Sequence, residues 1–211
     1  MIMTSDPMTR RPTSHEQQSG RPWDASYHEG PPPWDIGRPQ PAMVRIAKKF
    51  VGPVLDAGCG TGENALHVAS LGLAVTGVDV AETAIALARE KAAARGLDAE
   101  FAVADAFQLK HLGRKFQTVL DCGLFHTFNA EERPLYVASL AGVMDPGAAL
   151  YILCFSDAAP DTGPHPIREG ELRAVFAAQD QWRVAALEAA RIETRFHEHG
   201  APAWLASIHR T

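Results

Sequence analysis

The chain has 211 residues, a formal net charge of -5 and a sequence pI near 6.0. Its hydrophobic fraction of 46% can bury one substantial core, whereas its length is too small for two ordinary catalytic domains. The 20 Lys and Arg residues are scattered along the chain, which argues against nucleic acid as a partner. Small molecules are therefore the expected partners.

Cysteine content and hydropathy narrow the class of protein further. Cys59, Cys122 and Cys154 are odd in number and lack paired metal-ligand spacing, so neither a disulfide framework nor a metal site is predicted. No window approaches the roughly 20 apolar residues that cross a bilayer, and no signal peptide is recognised near the N-terminus. We expect a cytoplasmic monomer or homodimer with no membrane partner.

The N-terminal region changes composition twice. Residues 1–22 are rich in Ser, Thr, Pro, Gln and Arg and are predicted to form a disordered tail. A single domain is expected over 23–211, and its first part carries Trp23, Tyr27 and Trp34 among prolines and glycines. These rings are expected to pack against the protein, because several exposed tryptophans would form a sticky patch. A short helix is predicted over 42–50.

The rest of the chain alternates short apolar runs with longer alanine-rich segments. This pattern predicts an α/β fold, a doubly wound and mostly parallel sheet. The predicted strands are 54–57, 74–79, 99–104, 118–122 and 149–155. The helices between them are predicted at 63–71, 82–95 and 131–144. After a helix at 169–178, extended runs at 182–192 and 203–210 predict a C-terminal antiparallel hairpin.

The first predicted strand leads into a loop with alternate glycines, Gly58, Gly60 and Gly62. Glycine permits close approach of a nucleotide-like ligand and the positive φ angles of a tight turn. A dinucleotide fingerprint has its last glycine one position later, where this chain has Glu63. A carboxylate there would repel pyrophosphate but suit the cationic sulfonium of S-adenosylmethionine (SAM), and Asp56 adds to that preference.

Two further carboxylates follow the next predicted strands. Asp79, beside Val80, can accept hydrogen bonds from the ribose hydroxyls of either NAD or SAM. Asp105, beside Ala106, can accept a hydrogen bond from the adenine amine, which dinucleotide folds do not require at this spacing. The set favours SAM over NAD. Each aspartate also has a structural interpretation, Asp79 as a helix cap and Asp105 as a solvated loop residue.

The fourth predicted strand leads into DCGLFHTF at 121–128, where methyl donor and acceptor should meet. His126 is a candidate base for an acceptor hydroxyl, amine or thiol, since an unperturbed imidazole has a pKa of about 6.5. The alternative interpretation has at least equal weight: His126 is hydrogen-bonded in the core or lines the pocket without a chemical role. Cys122 and Asp121 are candidates for the pocket wall.

Three motifs, DAGCGTG at 56–62, GVDV at 77–80 and ADAF at 104–107, together resemble the class I SAM-dependent methyltransferases. PPWDIGRPQP at 32–41 is similar to a stretch in the thiopurine, thiol and halide methyltransferase branch. The resemblance implies SAM as cofactor and an aromatic lid over 23–50, with Trp23, Tyr27 and Trp34 covering the cofactor. A tyrosine of that branch corresponds to Cys122, which is included in the predicted cofactor site.

The first functional expectation is a SAM-dependent methyltransferase of a small molecule, with a thiol, sulfide or other soft nucleophile as acceptor. The alternative is an O- or N-methyltransferase of a small aromatic metabolite, in which a base such as His126 would matter more. A SAM-binding sensor without catalysis is an interpretation from a different class. A nicotinamide oxidoreductase is disfavoured by Glu63.

Overall fold

The computed structural model describes residues 10–158 and 165–211. Its strands are β1 Val54–Ala57, β2 Val75–Asp79, β3 Glu100–Val103, β4 Phe116–Cys122, β5 Met144–Phe155, β6 Trp182–Thr194 and β7 His197–Arg210. Its helices are α1 Ser14–Ser19, α2 Pro41–Ile46, α3 Glu63–Ser70, α4 Glu82–Arg95, α5 Glu132–Ala141 and α6 Glu169–Ala177. Short 3₁₀ helices cover Trp23–Tyr27, Ala47–Lys49, Ala106–Leu112 and Phe125–Thr127.

The strands form one sheet in the order β3-β2-β1-β4-β5-β7-β6. Strands β1 to β5 pair in parallel, whereas β7 runs antiparallel to both β5 and β6. The predicted doubly wound sheet with a C-terminal antiparallel hairpin is confirmed. The strand order reverses between β1 and β4, and ligands of such sheets bind in the crevice at that point.

Apolar clusters cover both faces of the sheet. Neighbouring residues of a strand point to opposite faces, so Val54 and Leu55 of β1 enter different clusters, as do Val119 and Leu120 of β4. All four side chains are fully buried. Burial on both faces explains why these parallel strands are short apolar runs in the sequence.

Residues 10–22 differ from the expected disordered tail, because they form α1 and its flanking turns. The Thr13 amide donates to the Glu16 carboxylate at 2.8 Å, in a capping box at the start of α1. The Ser14 amide and hydroxyl both donate to Glu132 at 2.6 Å. Polar contacts hold residues 10–22 in place, so the scarcity of apolar residues in this segment did not indicate disorder. Residues 1–9 of the predicted tail lie outside the described residues.

Other predicted boundaries shift for local reasons. The helix predicted over 131–144 ends at Ala141, because Met144 already pairs with Phe116 in the sheet. The helix predicted over 42–50 ends at Ile46 and tightens into a 3₁₀ turn. In the described part of the chain, we find no helix with the length and apolar character required to cross a membrane.

Candidate active site

A cavity of about 380 Å³ lies at the carboxyl ends of the central strands. Its volume is within the range of small-molecule sites. One half, called here the loop half, is formed by the glycine loop and the turns after β2 and β3. The other, called the β4 half, is formed chiefly by Leu124, His126, Thr127, Phe128 and Phe155.

Most of the residues predicted for the site line this cavity. They are Gly58, Gly60, Asp79, Val80, Asp105, Ala106, Cys122, His126, Trp23, Tyr27 and Trp34. Asp56 and Gly62 do not line it. Ligand contact at these two positions stays a prediction, and the structure places both residues outside the cavity wall.

Asp56 lies beneath the glycine loop and is fully buried. Its Oδ2 accepts a hydrogen bond from the Ala65 amide in α3 at 3.0 Å, while Oδ1 has no hydrogen-bond partner among the described residues. Burial raises the pKa of Asp56 to about 7, against the effect of the Ala65 hydrogen bond. The structure gives Asp56 the role of supporting the start of α3.

Gly62 is required by packing between α3, α4 and β3. Its φ of 84° favours glycine, and a Cβ at this position would lie 2.8 Å from the Phe101 ring and 2.9 Å from the Ala88 methyl. Gly60, by contrast, faces the cavity, where a Cβ would lie 3.1 Å from the Tyr27 hydroxyl. Gly62 thus permits close packing of the secondary-structure elements, whereas Gly60 forms part of the cavity wall.

Asp79 connects the glycine loop to the start of α4. Its Oδ2 accepts a hydrogen bond from the Gly60 amide at 2.9 Å, and its Oδ1 accepts one from the Ala81 amide at 2.9 Å. Burial raises the pKa of Asp79, although these amide hydrogen bonds oppose the effect. Asp105 accepts a hydrogen bond from the Phe107 amide at 2.9 Å. Both aspartates therefore accept hydrogen bonds from backbone amides and also lie in the cavity wall.

Glu63 does not present a free negative charge to the cavity. It lies 2.9 Å from the ammonium group of Lys91 and 2.8 Å from the guanidinium group of Arg95. Burial alone would raise the pKa of Glu63, but the hydrogen bonds from Arg95 and Lys91 hold it below its ordinary value. The inference that Glu63 repels pyrophosphate is therefore not supported, because its charge is compensated.

The aromatic segment folds over the loop half. The Trp34 indole donates to the Tyr27 hydroxyl at 3.0 Å, and the Trp23 ring meets the Trp34 ring edge-on with centroids 5.7 Å apart. Asp35 accepts a hydrogen bond from the Thr61 hydroxyl at 2.7 Å, which ties the segment to the glycine loop. The position of these rings fits the predicted lid.

Residues from near both ends of the chain, which the sequence did not predict for the site, complete the cavity wall. Arg10, Thr13 and His15 line it from the N-terminal side, and Ile192, Glu193, Thr194, Phe196 and His197 line it from the tip of the C-terminal hairpin. Gln40 ties the hairpin tip to the segment before α2, since its side-chain amide donates to the Glu193 carbonyl and accepts from the Glu193 amide, both at 2.8 Å. No local sequence signal indicates such long-range contacts.

His126 is buried in the β4 half with one ring nitrogen occupied. The Phe155 amide donates to Nδ1 at 3.1 Å, and the two rings pack with centroids 4.3 Å apart. Burial, with the nearby His165 and Arg133, lowers the pKa of His126 to about 3. The ring is neutral, with its proton on Nε2 and its lone pair on Nδ1 already used. This arrangement disfavours the predicted role of His126 as a general base, which stays a prediction.

Comparisons with known proteins agree on the family. A family model described as a methyltransferase domain matches residues 54–147. A 2-heptyl-1-hydroxyquinolin-4(1H)-one methyltransferase of Mycobacteroides abscessus is 41% identical over 167 residues, which are 76% of this chain and 73% of the relative. The chain belongs to the class I SAM-dependent methyltransferases.

Two further proteins resemble this methyltransferase. A solved structure, from a study of the conversion of a disulfide bond into a thioacetal group during echinomycin biosynthesis, has a TM-score of 0.79 and 41% identity, and the match covers 89% of this chain and 91% of that one. A probable thiol methyltransferase of Arabidopsis thaliana is 29% identical over 144 residues, or 66% of this chain and 63% of the relative. The methyltransferase is an enzyme, so the sensor and oxidoreductase interpretations are not retained.

The cavity fits SAM, the cofactor of the family. The loop half offers the cavity wall at Gly60, the carboxylates of Asp79 and Asp105 for ribose and adenine, and the faces of aromatic rings for a sulfonium. These residues of the methyltransferase would hold SAM. The β4 half of the cavity lies outside this set of residues.

Proposed function

We propose that this methyltransferase acts on an acidic hydroxyl of an apolar, ring-bearing small molecule. We assign the acceptor to the β4 half, and the chemistry of this half carries the proposal. Its wall is aromatic and aliphatic around the imidazole of His126, and the Thr127 hydroxyl already donates to the Leu124 carbonyl. Phe128 of the β4 half packs against Phe107, from the turn after β3 in the loop half, with centroids 4.7 Å apart, and the Phe128 ring provides surface for a flat acceptor. The hydroxyquinolone relative supports the same class of acceptor.

An acidic hydroxyl is favoured because each lining carboxylate already has a partner. Glu63 binds Lys91 and Arg95, Glu193 binds Arg38, Asp35 binds Thr61, and Asp79 and Asp105 accept backbone amides. The Nδ1 lone pair of His126 is already used, and burial lowers the pKa of His15, which makes that ring a weaker base. We infer that the acceptor ionises without help. Hydroxyls attached to heteroaromatic rings or to nitrogen suit this requirement better than alcohols or amines.

SAM supplies an activated methyl group when it is bound, so the residues of the chain have to align the acceptor and exclude water. The lid rings of Trp23 and Trp34 cover the loop half. Phe196 at the hairpin tip, 77% exposed, borders the same cavity and offers apolar surface to an acceptor that enters. These contacts match an apolar acceptor of moderate size.

A second candidate acceptor is a thiol or another soft nucleophile. The same lack of a free base favours it, since thiols are partly ionised near neutral pH. The thiol methyltransferase relative supports this class, at lower identity than the hydroxyquinolone relative. The two candidates differ in the acceptor atom and share the requirement that it ionise by itself.

The deciding experiment is a panel of acceptors incubated with the enzyme and SAM, followed by mass spectrometry of the products. The panel contains N-hydroxyquinolones, phenols, thiols, sulfide, iodide and amines. We expect O-methylated heteroaromatic products to form fastest. Methylation of thiols or sulfide with none at oxygen would replace the first candidate by the second, and preferential methylation of amines would overturn both.

A further inference from the structure

The β4 half of the cavity lies beside a cluster of imidazole and guanidinium groups. His15 and His126 line the cavity, and His165 and Arg133 are close enough to affect the titration of His126. His15 also stacks on the lid residue Trp23 with centroids 4.5 Å apart. The cluster therefore contains residues of α1, the turn after β4, α5 and the segment before α6.

His126 presents a hydrogen-bond donor to the cavity. Because the Phe155 amide donates to Nδ1 at 3.1 Å, the neutral ring must carry its proton on Nε2. That nitrogen has no hydrogen-bond partner in the ranges that the structure describes, although the ring lines the cavity. An N–H without a partner at the wall of a substrate cavity is suited to an acceptor atom of the substrate.

Arg133 adds a buried charge beside Phe125, the residue before His126. Its side chain is only 8% exposed, its Nε has no hydrogen-bond partner, and the described residues include no ion pair to its guanidinium group. The guanidinium carbon lies 5.7 Å from the centre of the Phe125 ring, which compensates only part of the cost of burial.

The other titratable groups around Arg133 are Glu132, Glu171 and the Cys154 thiol. Glu132 accepts hydrogen bonds from Ser14, and Glu171 accepts one from the Arg168 amide. Burial is the main influence on Arg133 and lowers its pKa, and burial likewise raises the pKa of Cys154, which keeps that thiol neutral. A negative charge in the β4 half would therefore gain from the field of Arg133.

We propose that the acceptor binds as its anion, that His126 Nε2–H donates a hydrogen bond to the charged atom that receives the methyl group, and that Arg133 favours the anion over the neutral acid. This inference rests on the proposed function. The acceptor loses its proton to water before it binds. Its lone pair then forms the bond to the methyl carbon while the carbon–sulfur bond of the donor breaks and leaves its electrons on sulfur. No proton passes through the protein.

The first test compares His126→Gln with His126→Ala. Glutamine keeps an N–H donor at similar reach and cannot act as a base, so we expect it to retain kcat/KM within about fivefold, whereas alanine loses more than about tenfold. Equal loss in both variants, with SAM affinity unchanged by calorimetry, would overturn the donor role. Leu135→Ala, an exposed change on α5, is the control and should leave both quantities unchanged.

The second test concerns Arg133 and uses acceptors of graded acidity. For each acceptor, kcat/KM should rise with pH to a plateau whose midpoint follows the pKa of that acceptor in solution. Arg133→Met should raise KM for the ionised acceptor by about tenfold with little change in kcat, and Arg133→Lys should restore most of the loss. A common midpoint for all acceptors, removed by His126→Gln, would instead identify His126 as a base.

A third measurement does not depend on turnover. A chromophoric phenol such as 4-nitrophenol, titrated into the enzyme with S-adenosylhomocysteine, should show the absorption of its anion at pH values below its solution pKa. Binding of the neutral phenol, or no binding at any pH, would overturn the inference. If the anion binds but no acceptor in the panel is methylated, the proposed function fails and the anion site stands.

Discussion

Asp24 accepts a hydrogen bond from the backbone amide of Thr83 at 2.7 Å, so a residue of the lid caps the helix that follows β2. The Thr83 hydroxyl donates to the same carboxylate at 3.1 Å. The N-cap position itself is Ala81, whose methyl group cannot accept a hydrogen bond. The lid and the start of α4, next to Asp79, are thereby fixed to each other.

Replacing Asp24 should therefore affect both stability and cofactor binding. We expect Asp24→Ala to lower the free energy of unfolding by about 1 kcal/mol, the usual cost of a lost cap, and to weaken SAM binding because the lid is released. Asp24→Asn keeps an oxygen that accepts from Thr83 and should resemble the wild type. Chemical denaturation and calorimetry measure the two effects, and identical behaviour of the two variants would contradict the capping role.

Asp79 is expected to be the strongest single determinant of cofactor affinity. Asp79→Ala removes the acceptor of the Gly60 and Ala81 amides as well as the carboxylate that faces the cavity, so SAM binding should weaken by more than about tenfold, or about 1.4 kcal/mol. Asp79→Asn can accept from only one of these amides through its single oxygen and should be intermediate. Unchanged calorimetric affinity in Asp79→Ala would remove Asp79 from the site.

Gly62 and Gly72 form a matched pair for testing why the glycine loop needs its last glycine. Their φ angles are 84° and 80°, but a Cβ on Gly72 would meet nothing within 4 Å, whereas one on Gly62 would meet Phe101. Both alanine variants should lose about 1 kcal/mol from the strained backbone, and Gly62→Ala should lose a further 1–3 kcal/mol, roughly, from overpacking. Equal losses in chemical denaturation would show that packing against Phe101 is unimportant.

Asp121 should make stability depend on pH. Burial raises its pKa from 3.8 to about 7, against hydrogen bonds from the Phe125 and Leu124 amides. The folded state thus favours the protonated acid, so the contribution of Asp121 to stability is fully present below about pH 3.8 and is lost as the pH rises towards 7. Asp121→Asn keeps the oxygen that accepts from both amides and cannot ionise. Its free energy of unfolding should decline less over this range.

Denaturant unfolding at several pH values measures this difference. Asp145→Asn, the same change at an exposed aspartate, is the matched control. A steeper decline in Asp121→Asn than in the wild type would contradict the sign of the shift.

The sheet and much of the cavity wall could be predicted because both depend on local patterns. Strands such as β1 and β4 are buried on both faces and read as apolar runs, and parallel strands bring the residues after their carboxyl ends together. Asp79, Asp105 and Cys122 were placed in the cavity wall by this rule. Gly62 lies in the loop after β1, but the rule did not predict its surroundings. Its neighbour is the Phe101 ring and not the cavity.

The remaining features depend on contacts between distant segments. Residues 10–22 are held in a defined conformation by contacts that include Glu132. The charge of Glu63 is compensated by Lys91 and Arg95. The tautomer of His126 is set by a backbone amide of β5. None of these partners is implied by the residue it binds. Sequence patterns predicted where the site lies, whereas the protonation states within it required the fold.

The position of β7 between β5 and β6 has a consequence for synthesis on the ribosome. β6 is made before β7 but joins the sheet through its ladder with β7, so it has to wait for the later strand to emerge. Glu193, at the end of β6, is the backbone partner of Gln40 from the opposite part of the chain. A nascent chain should therefore acquire its complete cavity only after β7 has left the exit tunnel, and a chain stalled before that point should bind SAM poorly.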